Sequence, residues 1–260
     1  MLISVSGKIN SGKDLIGEII LYLTDKYYHS KVGKEASFEN WKTSNIHSSG
    51  YNISHKAMYE ANNTNHFKVK KFADKLKDVV CLLIGCTREQ LEDREFKEKE
   101  LGEEWDFYQP EKFGVKGFVL DANITYDEKL YRGLVKQKMT PRLLMQLIGT
   151  ECGRQIIHPN IWVNALMSEY NCVPADLAPN GIDCPNWIIT DMRFLNEMEA
   201  VKKRGGITIR VNRNLEESKD QHESETELDN VEFDYIINNN GTIEELIEKV
   251  KEILIKEKLI

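Results

Sequence analysis

With 260 residues the chain can bury a sizeable core, as one domain or as one domain carrying an inserted piece. Its net charge of −7 argues against a general nucleic-acid binder, which needs a basic footprint, although scattered Lys and Arg remain available to phosphates locally. The five cysteines are odd in number and show no C-x-x-C pair, which argues against a disulfide framework or a zinc site and fits a reducing cytoplasm.

The first element is the most informative. Leu2, Ile3, Ser4 and Val5 predict a short buried strand, too short to span a membrane and running straight into glycines. Gly7-Lys8-Ile9-Asn10-Ser11-Gly12-Lys13-Asp14 then has the G-x-x-x-x-G-K spacing of a phosphate-binding loop. Leu15, Ile16, Ile19, Ile20 and Leu23 follow at helical spacing. Glycines let a backbone wrap an anion so that N–H groups and a helix N-terminus face a polyphosphate. Lys13 adds a mobile positive charge at the outer phosphates. The residue after that lysine is usually Ser or Thr, whose hydroxyl binds Mg²⁺; here it is Asp14. A carboxylate can hold such a hard ion, or it can simply complement the positive end of its helix. Both readings stand.

Residues 24–66 are polar, with His29, His47, His55 and His66 at spacings that suit no metal site, and are read as helix end plus loops. Residues 67–72 predict a second strand, and Ala73–Asp78 opens a helix with an apolar stripe of Leu76, Val79, Val80, Leu83 and Ile84 that Gly85 ends. Asp74, Lys75 and Lys77 fall in its first turn, just past a strand's C-terminal end, where ligands bind in open α/β sheets. From 86 to 140 the chain turns densely charged and loses clean period. This excursion could cover a site or contact another subunit, which leaves a homodimer open. Arg88 and Arg94 within it are expected to be solvated.

Thr140-Pro141 starts a strong helix, an N-cap followed by proline at the first helical position. Leu143, Leu144, Leu147 and Ile148 face the core; Arg142, Gln146, Thr150 and Arg154 lie on other faces. If the helix continues, Arg142 and Arg154 are about three turns apart and line one cleft. Trp162 follows on another helix, as a core tryptophan or a base-stacking one. Trp187–Thr190 predicts a buried parallel strand that ends in Asp191, with Arg193 beside it and Glu197 placed to orient that arginine. A helix to Gly205, a strand over 207–211, a polar connection over 212–232 suited to a lid, a strand over 233–237 and a capped terminal amphipathic helix complete the chain. This alternation predicts an α/β fold of three layers, a parallel sheet with helices on both faces, in a single domain with an inserted segment at 86–140 and a lid at 212–230.

Taken together, SGKD in the loop, the Ala73–Lys77 turn, TPRLLMQLIGT with Trp162 downstream, ITDMRFLNE, and HESETELD resemble the phage deoxynucleoside monophosphate kinases. The loop and the S-E-x-x-L-D element also resemble animal phosphomevalonate kinases, which share the nucleoside-monophosphate-kinase architecture. About three-quarters of the chain is covered by motif order and spacing; 24–66 and 86–140 are weakly covered. Asp14 agrees with both families. The resemblance implies transfer of the ATP γ-phosphoryl to a deoxynucleoside 5′-monophosphate, with Mg²⁺. It implies that Gly7, Asn10, Ser11, Gly12 and Lys13 cradle ATP phosphates and that Asp14 helps hold the metal. Lys13, Asp191 and Arg193 would be catalytic. Asp74, Lys75, Lys77, Arg142, Gln146, Arg154, Asp191, Arg193 and Glu197 would surround the acceptor, while Gly149, Thr150 and Trp162 shape a base pocket.

The partners implied are small nucleotides in a cytoplasm, a host's if the chain is phage-encoded, and neither nucleic acid nor membrane. A kinase of another phosphate ester, phosphomevalonate or dephospho-coenzyme A, is the alternative within enzymes. A slowly hydrolysing nucleotide-dependent switch is the alternative outside them.

Overall fold

Leu2, Ile3 and Val5 form the centre of β1 (Leu2–Gly7), all six residues of which are buried. A computed structural model describes residues 1–25, 29, 37–43, 67–110, 134–173, 184–214 and 226–260. The chain forms two compact units, Met1–Phe72 with Leu166–Ile260, and Ala73–Ala165.

In the first unit β1 is followed by α1 (Lys13–Thr24), a short α2 (Phe38–Thr43) and β2 (Lys68–Lys70). After the second unit come β5 (Trp187–Met192), α8 (Leu195–Lys202), β6 (Ile207–Asn212), β7 (Tyr235–Asn238) and α9 (Ile243–Lys256). The five strands make one sheet in the order β2-β5-β1-β6-β7, and every pairing is parallel. Side chains alternate between faces along a strand. Ile3, Val5, Ile188, Ile209, Val211 and Ile237 therefore present one face, which packs with Ile16, Ile19 and Ile20 of α1 and Leu246, Val250 and Leu254 of α9. Leu2 lies on the opposite face, where it and Val201 of α8 fill the space a Cβ would take at Gly206. Fully burying each such aliphatic side chain is worth about 1.5–3 kcal/mol. The sheet thus carries helices on both faces, the α/β architecture that the strand–helix alternation predicts. Within the segment that reads as uninformative in sequence, Trp41 of α2 is buried and donates its Nε1–H to the buried carboxylate of Asp25.

The second unit starts with α3 (Asp74–Ile84), which Gly85 ends in a left-handed conformation. Then come α4 (Arg88–Glu92), α5 (Arg94–Glu98), β3 (Phe107–Pro110) paired antiparallel with β4 (Leu134–Gln137), α6 (Pro141–Gln146) and α7 (Ile161–Met167), whose end passes into the first unit. The excursion over 86–140 falls within this unit.

Three expectations are corrected here. The apolar stripe of α3 is narrower than its spacing suggests: Val80 is fully buried, whereas Val79 and Leu83 are exposed. The helix that Thr140 caps through its hydroxyl does not continue as α; Leu147–Ile157 is wound as a π-helix. Its wider turns change which side chains share a face, so the three-turn spacing of Arg142 and Arg154 does not apply. The cysteine count also misleads, because Cys172 and Cys184 form a disulfide. His47, His55 and His66, residues 111–133 of the excursion and 215–225 of the lid segment lie outside the described residues.

Candidate functional site

The loop between β1 and α1 closes on itself. Ser11 donates its N–H to the Lys8 carbonyl, and Asn10 and Gly12 take positive φ values of 64° and 101°. Gly12 is fixed twice over, since a Cβ there would also stand 2.5 Å from Asn239 Nδ2. That buried asparagine, just past the end of the edge strand β7, donates to the Ser11 carbonyl at 2.9 Å and anchors the loop. Lys13 folds back over the ring, its Nζ 2.6 Å from the Gly7 carbonyl and 2.8 Å from that of Lys8. The Ser11 hydroxyl is buried without a hydrogen-bond partner among the described residues. A ring of turned backbone, an unpaired hydroxyl and an ammonium folded over it form a cradle suited to a phosphate group.

Asp14 sits one residue into α1, and its Oδ1 accepts from Thr190 Oγ1 at 2.7 Å and from Lys71 Nζ at 2.9 Å. Sequence reading missed both partners. The close approach is made possible by Gly17, where a Cβ would meet Thr190 Cγ2 at 2.7 Å. Burial pushes the Asp14 carboxyl up, but the Thr190 and Lys71 hydrogen bonds, with the charges of Lys71 and Lys13, outweigh it and hold the group below the usual carboxylate range. An ionised, oriented carboxylate fits a hard divalent cation. No cluster of three or more acidic, histidine or cysteine side chains that would hold a metal occurs among the described residues. A metal here would therefore take most of its ligands from phosphate and water.

Asp191 is the penultimate residue of β5, and its Oδ1 accepts the backbone N–H of Phe72 at 2.8 Å, tying the end of β5 to the chain leaving β2. Glu197 is buried and reaches Arg193 through the backbone, accepting the N–H groups of Arg193 at 2.7 Å and Phe194 at 3.1 Å. The described end of the S-E-T-E-L-D element, residues 226–229, also docks in the first unit. Glu227 accepts the Leu195 N–H at 2.8 Å, Leu228 is buried, and Asp229 pairs with Arg210 and, at 3.4 Å, with Lys8 of the loop.

In the second unit the acceptor candidates are engaged by protein groups. Lys77 pairs with Glu92 at 2.6 Å. Asp74 pairs with Arg88 at 2.9 Å, and Arg88 also meets Asp78 and Glu92, so the arginine expected to be solvated is the hub of a cluster. Arg142 pairs with Glu98, and Arg154 donates to the Pro159 carbonyl at 3.4 Å. Lys75 is exposed, and Gln146 is half-buried on α6. Trp162 is buried, with its Nε1–H on the Gly149 carbonyl at 2.8 Å, and so braces the π-helical turn that carries Gly149 and the buried Thr150.

A parallel sheet with a strand, a glycine loop, a lysine and a helix at its centre is an α/β, P-loop kinase-like fold. The family model of the deoxynucleotide monophosphate kinases matches residues 1–250, and the chain belongs to that family. The deoxynucleotide monophosphate kinase of Escherichia phage RB69 is 34% identical over 113 residues, 44% of this chain and 44% of that protein. That of Enterobacteria phage T4 is 31% identical over 120 residues, 46% of this chain and 47% of the relative. The deoxynucleoside-5′-monophosphate kinase of Escherichia phage T5 is 24% identical over 223 residues, 78% and 72% of the two chains. The chain thus spans less than half the length of the RB69 and T4 proteins it matches.

Proposed function

We propose that this protein transfers the γ-phosphoryl group of ATP to the 5′-phosphate of a deoxynucleoside monophosphate, giving the diphosphate and ADP. The observation that carries the reading is Lys13 folded over the Gly7–Gly12 ring beside the oriented carboxylate of Asp14. The acceptor is already an anion, so the reaction needs positioning and charge neutralisation more than a strong base.

Gly7, Asn10, Ser11, Gly12 and Lys13 bind the donor phosphates in this reading, the lysine exchanging two carbonyls for phosphate oxygens. Asp14 would hold Mg²⁺, which would neutralise charge on the donor phosphates. Asp191 and Arg193 are the acceptor-side candidates of the first unit. Lys77, Arg142 and Arg154 are those of the second, and a substrate phosphate must win each from the protein group that now holds it. The segment over 212–230 is the lid, and the family's phage members point to a host cytoplasm as the place of work.

The test is ADP release from Mg²⁺–ATP with dAMP, dGMP, dCMP and dTMP, their ribose counterparts and phosphomevalonate. Stimulation by the deoxynucleotides is expected. Stimulation by phosphomevalonate alone, or slow hydrolysis indifferent to every acceptor, would overturn the reading in favour of the ester kinase or the switch.

A further inference from the structure

Asp14 already has a cation. In the register of β2 on β5, Lys70 stands opposite Ile189, so Lys71 comes level with Thr190 as the chain leaves the sheet. Both side chains then meet one oxygen of Asp14, the lysine at 2.9 Å and the threonine at 2.7 Å. As a stability device the ion pair is worth little, because the Asp14 side chain is 68% exposed, and exposed pairs contribute in general little. Its place matters more. The paired carboxylate follows the phosphate-loop lysine directly, where a divalent ion bound with ATP would be held in the kinase reading.

We propose that Lys71 is a resident counter-ion of Asp14 that a divalent metal displaces, and that Thr190 is the positioning residue that keeps the carboxylate aimed in both states. The proposal rests on the kinase reading of the site. An ammonium and a divalent cation cannot both sit against one carboxylate without strong repulsion, so entry of the metal turns the lysine away. Thr190 is buried and pinned by Gly17 of α1, so its hydroxyl does not follow the lysine.

The test measures binding, not turnover. ATP affinity is determined by calorimetry in EDTA and in saturating Mg²⁺, and the ratio of the two dissociation constants reports the coupling of metal to nucleotide. In Lys71→Met the metal no longer has a competitor, so the ratio is expected to rise by roughly tenfold to thirtyfold, the scale of one monovalent–divalent repulsion in largely aqueous surroundings. Metal-free ATP should bind more weakly in the same variant. Asp14→Asn should lower the ratio and abolish its response to Lys71→Met in the double variant. Thr190→Val should lower it with Asp14 in place. Lys71→Gln replaces the methionine variant if that one does not fold. Equal shifts of both dissociation constants in the Lys71 variant, leaving the ratio unchanged, overturn the exchange alone. Failure of the wild type to bind ATP overturns the exchange and the kinase reading together.

Discussion

Lys13 and Gly17 lie on the same helix and matter for different reasons. Lys13 donates to loop carbonyls at a partly exposed surface, so its loss should cost little stability. Lys13→Ala is expected to lower kcat by a factor of about 100 or more, the loss typical when a charge-stabilising donor is removed, with an almost unchanged melting temperature. Near-normal turnover would remove the residue from the mechanism. At Gly17 two effects compete. Alanine improves helix propensity by roughly 1 kcal/mol, but its Cβ would sit 2.7 Å from a methyl group of the fully buried Thr190. Overpacking of that kind costs about 1–3 kcal/mol. Gly17→Ala should therefore be destabilised in urea unfolding, and should lose activity because Asp14 is lifted off Thr190. Unchanged stability would mean that the contact between α1 and β5 is slack. The loop lysine was legible from spacing, and Gly17 was not, because a helical glycine announces nothing until its neighbour is known.

Among the elements, the pairing of β7 with β6 and the packing of α9 carry a pH dependence. Tyr235 of β7 donates its hydroxyl to Glu257, just past the end of α9, and this bond, with some burial, pushes the phenol up from 10.0 to about 12. A raised folded pKa stabilises the protonated form. The contribution is whole below about pH 10 and fades as the pH rises through about 12. Tyr235→Phe should therefore be less stable than the wild type at pH 8, with the gap closing between about pH 10 and 12 in denaturant titrations. A gap that stays constant across that window would show that the bond contributes nothing. The strands and helices of this unit were legible from sequence because their apolar periods match a sheet covered on both faces. The π-helix over Leu147–Ile157 was not, since the same leucine spacing suits an α-helix and only packing around Gly153 and Trp162 distinguishes the two.

For the molecule as a whole, cysteine parity was a poor guide. Cys172 follows α7, Cys184 precedes β5, and twelve positions of sequence separate them. Closing a loop of this length is worth about 3 kcal/mol in the chain-entropy account. The unreduced, denatured protein should titrate three thiols, Cys81, Cys86 and Cys152, and five after reduction, with a lower urea midpoint once reduced. Five thiols without reductant would show that the pair is open. No helix among the described residues is long and apolar enough to cross a membrane.

By itself the sequence determined the strand–helix alternation of the five-stranded sheet, the glycine loop after β1 and the family, because these depend on local spacing along β1, α1 and the other strands of the sheet. What only the tertiary structure decided is which residues complete the loop's surroundings. Asn239, Thr190, Lys71 and Asp229 come from strands or connections distant in the chain, and reach Ser11, Asp14 and Lys8 through parallel pairing and the tight seat of Gly17. Partners of that kind follow from register across the sheet, and a single chain read in order carries no signal of it.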